Sequence, residues 1–116
     1  MMTDIVFLYT TWPDALTARA AARRLIEQGV AACANIGAPM RAIYAWQGKI
    51  EESDEIVMIV KAGRAQAAAA RDALIAAHPY ETPCVCAIPI EAAFSAPAYL
   101  AWLAAVSDGQ ASDPST

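Results

Sequence analysis

The sequence predicts an α+β domain in which four strands form one antiparallel sheet, helices cover a face of it, and a long two-stranded arm projects from it. Three observations carry this expectation. Strand and helix patterns follow the order β-α-β-β-α-β with one further helix at the end, which is the split βαβ arrangement. The second and third strands are long and joined by a two-residue turn signal. The 116 residues match one domain and leave no room for a catalytic domain beside a regulatory one.

Each element has its own local reason. Asp4 to Thr10 (DIVFLYT) is a β-branched and aromatic run that reads as a buried strand. Pro13-Asp14 then supplies favoured first-turn residues of a helix. In that helix Ala18, Ala21, Ala22, Leu25 and Ile26 recur at helical spacing while Arg19, Arg23 and Glu27 share the other side, and Gly29 ends it. Val30 to Ile36 is the second strand. Met40 to Trp46 is strand-like again, so Gly37-Ala38-Pro39 reads as a bend or bulge within one long strand. Gln47-Gly48 turns the chain. The return strand, Lys49 to Ala62, is polar through KIEESDE and apolar through IVMIV, so its first half should face solvent or a partner and its second half the core. Ala67, Ala70, Leu74 and Ala77 mark the buried face of the second helix, which stops near His78-Pro79. Cys84 to Ile90 is the fourth strand and Pro97 to Val106 the last helix. The architecture is ferredoxin-like over residues 1–106. Residues 107–116 (SDGQASDPST) have the composition of a disordered tail.

Composition narrows the function classes. Hydrophobic residues make up 58% of the chain, but alanine inflates that figure and adds little buried area, so association would help a small core. The net charge of −4 and the scatter of eight Lys and Arg residues argue against nucleic acid as a partner. No apolar run approaches the ~20 residues that cross a bilayer, and Met1-Met2-Thr3-Asp4 lacks a basic leader, so no membrane partner is expected and the cytoplasm is the default compartment. Three cysteines are too few and odd in number for a disulfide framework, which fits a reducing environment.

Nucleotide-loop, zinc-ribbon, metalloprotease and serine-hydrolase motifs are absent from the sequence. Glu51, Glu52, Asp54 and Glu55 form an acidic cluster on a strand, more often a solvated face than a hard-cation site. Cys33 beside Asn35 has the elements of a nucleophile with an amide orienter, or of an inert buried thiol. Cys84 and Cys86, at i and i+2 on a strand, face the same side about 7 Å apart. They suit a soft ion such as Cu(I), or small residues packed beneath a helix. The sole histidine lies in HPYETP, residues 78 to 83. Two prolines forbid a helix through this segment, so His78 is a helix-end capping group or a ligand that needs converging partners.

Taken together, AACANI at 31 to 36, IYAWQGKIEE at 43 to 52, Glu55 followed by IVMIVKA, HPYETP, and YLAWL at 99 to 103 resemble, in order and spacing, the CutA divalent-cation tolerance proteins. The resemblance spans about residues 4 to 106. It implies a compact homotrimer of ferredoxin-like protomers, similar to the trimeric PII signalling proteins, with arms pairing around a threefold axis. It also implies tolerance to copper and other divalent metals and binding of metal ion. The shared positions are Cys33, Asn35, Tyr44, Trp46, Gly48, Lys49, Glu52, Glu55, Lys61, His78, Pro79, Tyr80, Pro83, Tyr99 and Trp102. Departures are Ala62, where a Thr commonly follows the lysine, and Cys84 and Cys86, where acidic or aliphatic residues are usual. With one histidine per chain, a site of two histidines from a single protomer is impossible.

The expected protein is therefore a non-enzymatic homotrimer acting in metal-ion response and binding copper, another divalent metal or a small ligand. The expected metal ligands are His78, Cys33, Cys84 and Cys86. The expected ligand cleft, between subunits as in PII proteins, joins His78, Tyr80 and Lys61 of one chain to Tyr44, Trp46 and Glu52 of the next. Two other classes compete: an enzyme with Cys33 as nucleophile and His78 as base, and a structural trimer that presents a partner-binding surface.

Overall fold

The computed structural model describes residues 4–107. Its elements are β1 (Ile5–Trp12), α1 (Ala15–Glu27), β2 (Cys33–Trp46), β3 (Lys49–Gly63), α2 (Arg64–Ala77), β4 (Val85–Pro89), a short 3₁₀ turn at Ala92–Phe94 and α3 (Pro97–Ser107). The four strands form one antiparallel sheet in the order β2-β3-β1-β4, the ferredoxin-like α+β arrangement.

Strand alternation divides the sheet into two faces. On one, Val6, Leu8 and Trp12 of β1 and Ile56, Met58 and Val60 of β3 pack against Ala18, Ala21, Ala22 and Leu25 of α1 and Ala70 and Leu74 of α2. Small alanines let both helices approach the sheet closely, while Trp12, fully buried, fills the space at the end of β1. Its indole Nε1–H donates to Thr10 Oγ1 at 2.6 Å, and that hydroxyl donates to the Met58 carbonyl at 2.8 Å. The polar atoms of this buried pair are thereby satisfied, as burial requires. Ile26, expected on the buried stripe, is exposed, because the stripe centres on Leu25 and Ile26 falls past its edge.

Asp14 lies outside the first turn and caps α1, its Oδ1 accepting from the Thr17 N–H at 2.7 Å. That bond holds its carboxyl below the ordinary value of 3.8. Gly29, at φ +74°, closes the helix. The strand register shifts between Ile36 and Pro39, at the expected interruption, since Pro39 has no N–H to offer a ladder. Gln47 and Gly48, both at positive φ, make the tight turn whose twist suits a hairpin.

α3 does not join α1 and α2. It crosses the opposite face at one end, where Leu100 and Leu103 pack on Ile5 and Ala32 with Phe7 and Cys33 beside them. Lys61 Nζ donates to Tyr99 Oη at 2.9 Å and lies over the Phe7 and Tyr99 rings, pinning the helix. Ser107, expected as the first residue of the tail, is the last residue of α3 and is buried: its hydroxyl donates to the Leu103 carbonyl and accepts from the Gly63 N–H at 3.1 Å. The rest of the expected tail lies outside the described residues.

The β2–β3 hairpin reaches well past the helices. It gives the molecule extents of 48 × 29 × 24 Å and a radius of gyration of 15.2 Å, against about 13 Å for a compact domain of this size. The arm carries exposed Met40, Ile43, Tyr44, Trp46 and Ile50, and the sheet face that α3 leaves open carries Tyr9, Val57, Ile59, Cys86 and Ile88.

Candidate functional site

An open cleft of about 710 Å³ lies between the arm and the loop that follows α2, lined by Tyr44, Trp46, Glu51, Ser53, Glu55, Pro79, Tyr80, Glu81 and Thr82. Register builds its arm side. Tyr44 pairs with Glu51 and Met40 with Glu55, so every second residue of β3 here faces the cleft. Glu52 and Asp54, on the alternate face, bind Arg41 instead, at 3.3 and 3.0 Å. The acidic cluster of the sequence is thus two sets, one lining the cleft and one neutralised behind it.

The loop side is set by His78. It is buried, with Nε2–H donating to the Thr11 carbonyl at 2.7 Å and Nδ1 accepting the Tyr80 N–H at 3.1 Å. These two partners fix the ring's orientation and engage both nitrogens. Its face lies 4.3 Å from the Trp12 ring and 4.8 Å from Tyr80, centroid to centroid. His78 therefore ties the PYET loop to the end of β1 and orients Tyr80 into the cleft. It caps a strand carbonyl rather than the carbonyls of its own helix.

Of the residues expected in the ligand cleft, Tyr44, Trp46 and Tyr80 come together, and they do so within one chain. Lys61 does not: it sits six residues beyond Glu55 on β3, about 20 Å along the strand, bound to Tyr99. Glu52 faces the other way, toward Arg41, and His78 stands beneath the loop. Glu51, Glu55 and Glu81 are the lining groups that the sequence reading left out. Period-two alternation from Tyr44 and Trp46 through the tight turn was the signal for the first two.

The four expected metal ligands are dispersed in one chain. Cys33 lies opposite Lys61 on β2, an edge strand, while Cys84 and Cys86 lie at β4, the other edge. His78 belongs to the side on which Trp12 packs. Among the described residues no three His, Cys, Asp or Glu side chains converge as a metal set. Cys33 and His78 are likewise apart, so one chain does not assemble a nucleophile and base from them. Burial, then the neighbouring Cys86, pushes the Cys84 thiol above its ordinary value of 9.0, the reverse of an activated thiolate. Cys84 and Cys86 are not packed beneath a helix either: they leave the sheet on its open face, with Val85 between them packing against the core.

Fold and cleft together define a ferredoxin-like protein whose long hairpin arm and α2–β4 loop enclose an aromatic and acidic cleft. The sequence profile of the CutA1 divalent ion tolerance protein matches residues 6–106, and the chain belongs to that family. It is 47% identical to the divalent-cation tolerance protein CutA of Archaeoglobus fulgidus over 85 residues, 73% of this chain and 82% of that one. A solved structure of a CutA from that organism, described as a periplasmic divalent cation tolerance protein, superposes with a TM-score of 0.82 at 41% identity, covering 89% of this chain and 98% of the other. The CutA homolog of Xenopus laevis is 36% identical over 82% of this chain, which spans 62% of that relative's length. Among the described residues no helix is long and apolar enough to cross a membrane.

Proposed function

We propose that the protein is a homotrimeric divalent-cation tolerance protein that binds copper or another divalent ion, or a small ligand, at clefts completed between subunits. The observation that carries this reading is the cleft itself, where Glu51, Glu55 and Glu81 share one wall system with Tyr44, Trp46 and Tyr80. Carboxylates supply oxygen donors and a cation-attracting field. Among the described residues one chain brings too few ligating groups close enough to close a site for a divalent ion, so donors from a neighbour are called for, as a symmetric trimer provides. The exposed apolar residues of the arm supply a surface for that association. No step of chemistry on a substrate is assigned; the role is binding and response to metal ion. The cytoplasm fits three unpaired thiols, and cell fractionation checks it.

Calorimetric titration of Cu(II) and Zn(II) into the wild type and a Glu51→Gln/Glu55→Gln/Glu81→Gln variant tests the proposal. Saturable binding in the wild type that the triple variant loses, with the oligomer intact, is the expected result. Equal binding by both proteins rejects the cleft as the metal site.

A further inference from the structure

The cleft leaves Cys84 and Cys86 unused. Cys86 pairs with Tyr9 across the β1–β4 ladder, and Cys84 immediately precedes β4. Their side chains leave the same open face about 7 Å apart along the chain. Burial and then the neighbouring Cys86 push the Cys84 thiol above its ordinary value, which marks the two thiols as neighbours on this face. Neither is in a disulfide; Cys84 is half-buried and Cys86 exposed. Glu55, a cleft-lining residue, adds a smaller electrostatic push to Cys84 in the same direction.

Donor type and number select the occupant. Two neighbouring thiols, with no third His, Cys, Asp or Glu group completing a larger set among the described residues, do not satisfy Zn²⁺, whose structural sites take about four ligands. They do not satisfy an iron–sulfur cluster, which takes about four protein ligands. Ca²⁺ and Mg²⁺ require oxygen. A soft monovalent d¹⁰ ion prefers thiolate and is content with two.

We propose that Cys84 and Cys86 form a two-sulfur site for Cu(I) on the open sheet face, fed by cations that the acidic cleft concentrates. Binding breaks two S–H bonds and forms two Cu–S bonds; both protons leave to solvent and no electron is transferred. The site needs residues of one chain only, so it goes beyond the divalent-ion reading and stands apart from the subunit clefts.

The test is an anaerobic titration of the full chain with Cu(I), supplied as its acetonitrile complex, against a chromogenic Cu(I) chelator. Wild type, Cys33→Ser and Cys84→Ser/Cys86→Ser are compared, with circular dichroism confirming that each is folded. The expected result is one Cu(I) per chain for the wild type and Cys33→Ser and none above background for the double variant. Equal Cu(I) uptake by the double variant, or loss in Cys33→Ser as complete as in the double variant, overturns the proposal. Should the double variant fail to fold, Cys86→Ser alone, at the exposed position, decides: retained wild-type uptake overturns the site and lost uptake supports it. Oligomer mass measured on the same samples separates the two readings. A monomer with thiol-dependent Cu(I) keeps this site and removes the trimer, whereas a trimer without it does the reverse.

Discussion

Replacing His78 tests whether the one histidine of the chain is a structural tie or a ligand. His78→Ala removes the bond to the Thr11 carbonyl and the bond from the Tyr80 N–H, each contributing about 1 kcal/mol net where water partly takes over. It also removes ring contacts with Trp12 and Tyr80, together about 1–2 kcal/mol. The expected loss is about 3–4 kcal/mol. His78→Phe keeps the ring packing and loses only the polar bonds, so it should lose about 2 kcal/mol. Urea unfolding at one fixed protein concentration measures both, since association links stability to concentration. A His78→Ala protein within about 1 kcal/mol of wild type refutes the structural assignment. So does a stable His78→Phe protein that has lost Cu(II) binding, because that is the signature of a ligand.

Further outcomes follow from other contacts. Ser107→Ala leaves the Gly63 N–H without its buried acceptor and should cost about 1–3 kcal/mol, read as a lower midpoint in the same urea assay. Gly63→Ala should loosen α3 as well, because a Cβ there meets Ser107 Cβ at 3.2 Å and Gln66 Oε1 at 3.0 Å. Asp14, whose folded carboxyl is held below its ordinary 3.8 by the Thr17 N–H, contributes stability that is complete above the ordinary value and is lost as pH falls through the lower folded one. Thermal melts from neutral to acid pH should therefore show wild type converging on Asp14→Ala below that window and standing above it at neutral pH. Trp46→Ala should weaken assembly more than Trp102→Ala in light scattering, since Trp46 is 60% exposed on the arm while Trp102 packs with α3 over its own chain.

What was legible in the sequence was local. Gly37-Ala38-Pro39 announces its register shift because Pro39 cannot donate, and Gln47-Gly48 announces its turn because a tight hairpin needs positive φ. α3 gave no such signal: PAYLAWLAAV is apolar on all sides, so periodicity could not say that Leu100 and Leu103 face Ile5 and Ala32 across the sheet from the other helices. The cleft was half legible. Tyr44, Trp46 and Tyr80 were named, but their meeting within one chain depends on where the loop after α2 is tied. That tie is His78 to Thr11, a bond across 67 positions that no spacing rule contains. Lys61 and Glu52 stand outside the cleft of a single chain for a simpler reason, because strand length sets one far along β3 and alternation sets the other on the reverse face.

The central claim is an arm-built trimer whose subunits jointly hold a divalent ion. A native mass spectrum of freshly purified protein, before and after dialysis against Cu(II), tests it in one measurement. The account predicts a single species of three chains that gains copper in whole-number steps and shows no folded monomer at micromolar concentration. A folded monomer that takes up no copper would contradict it.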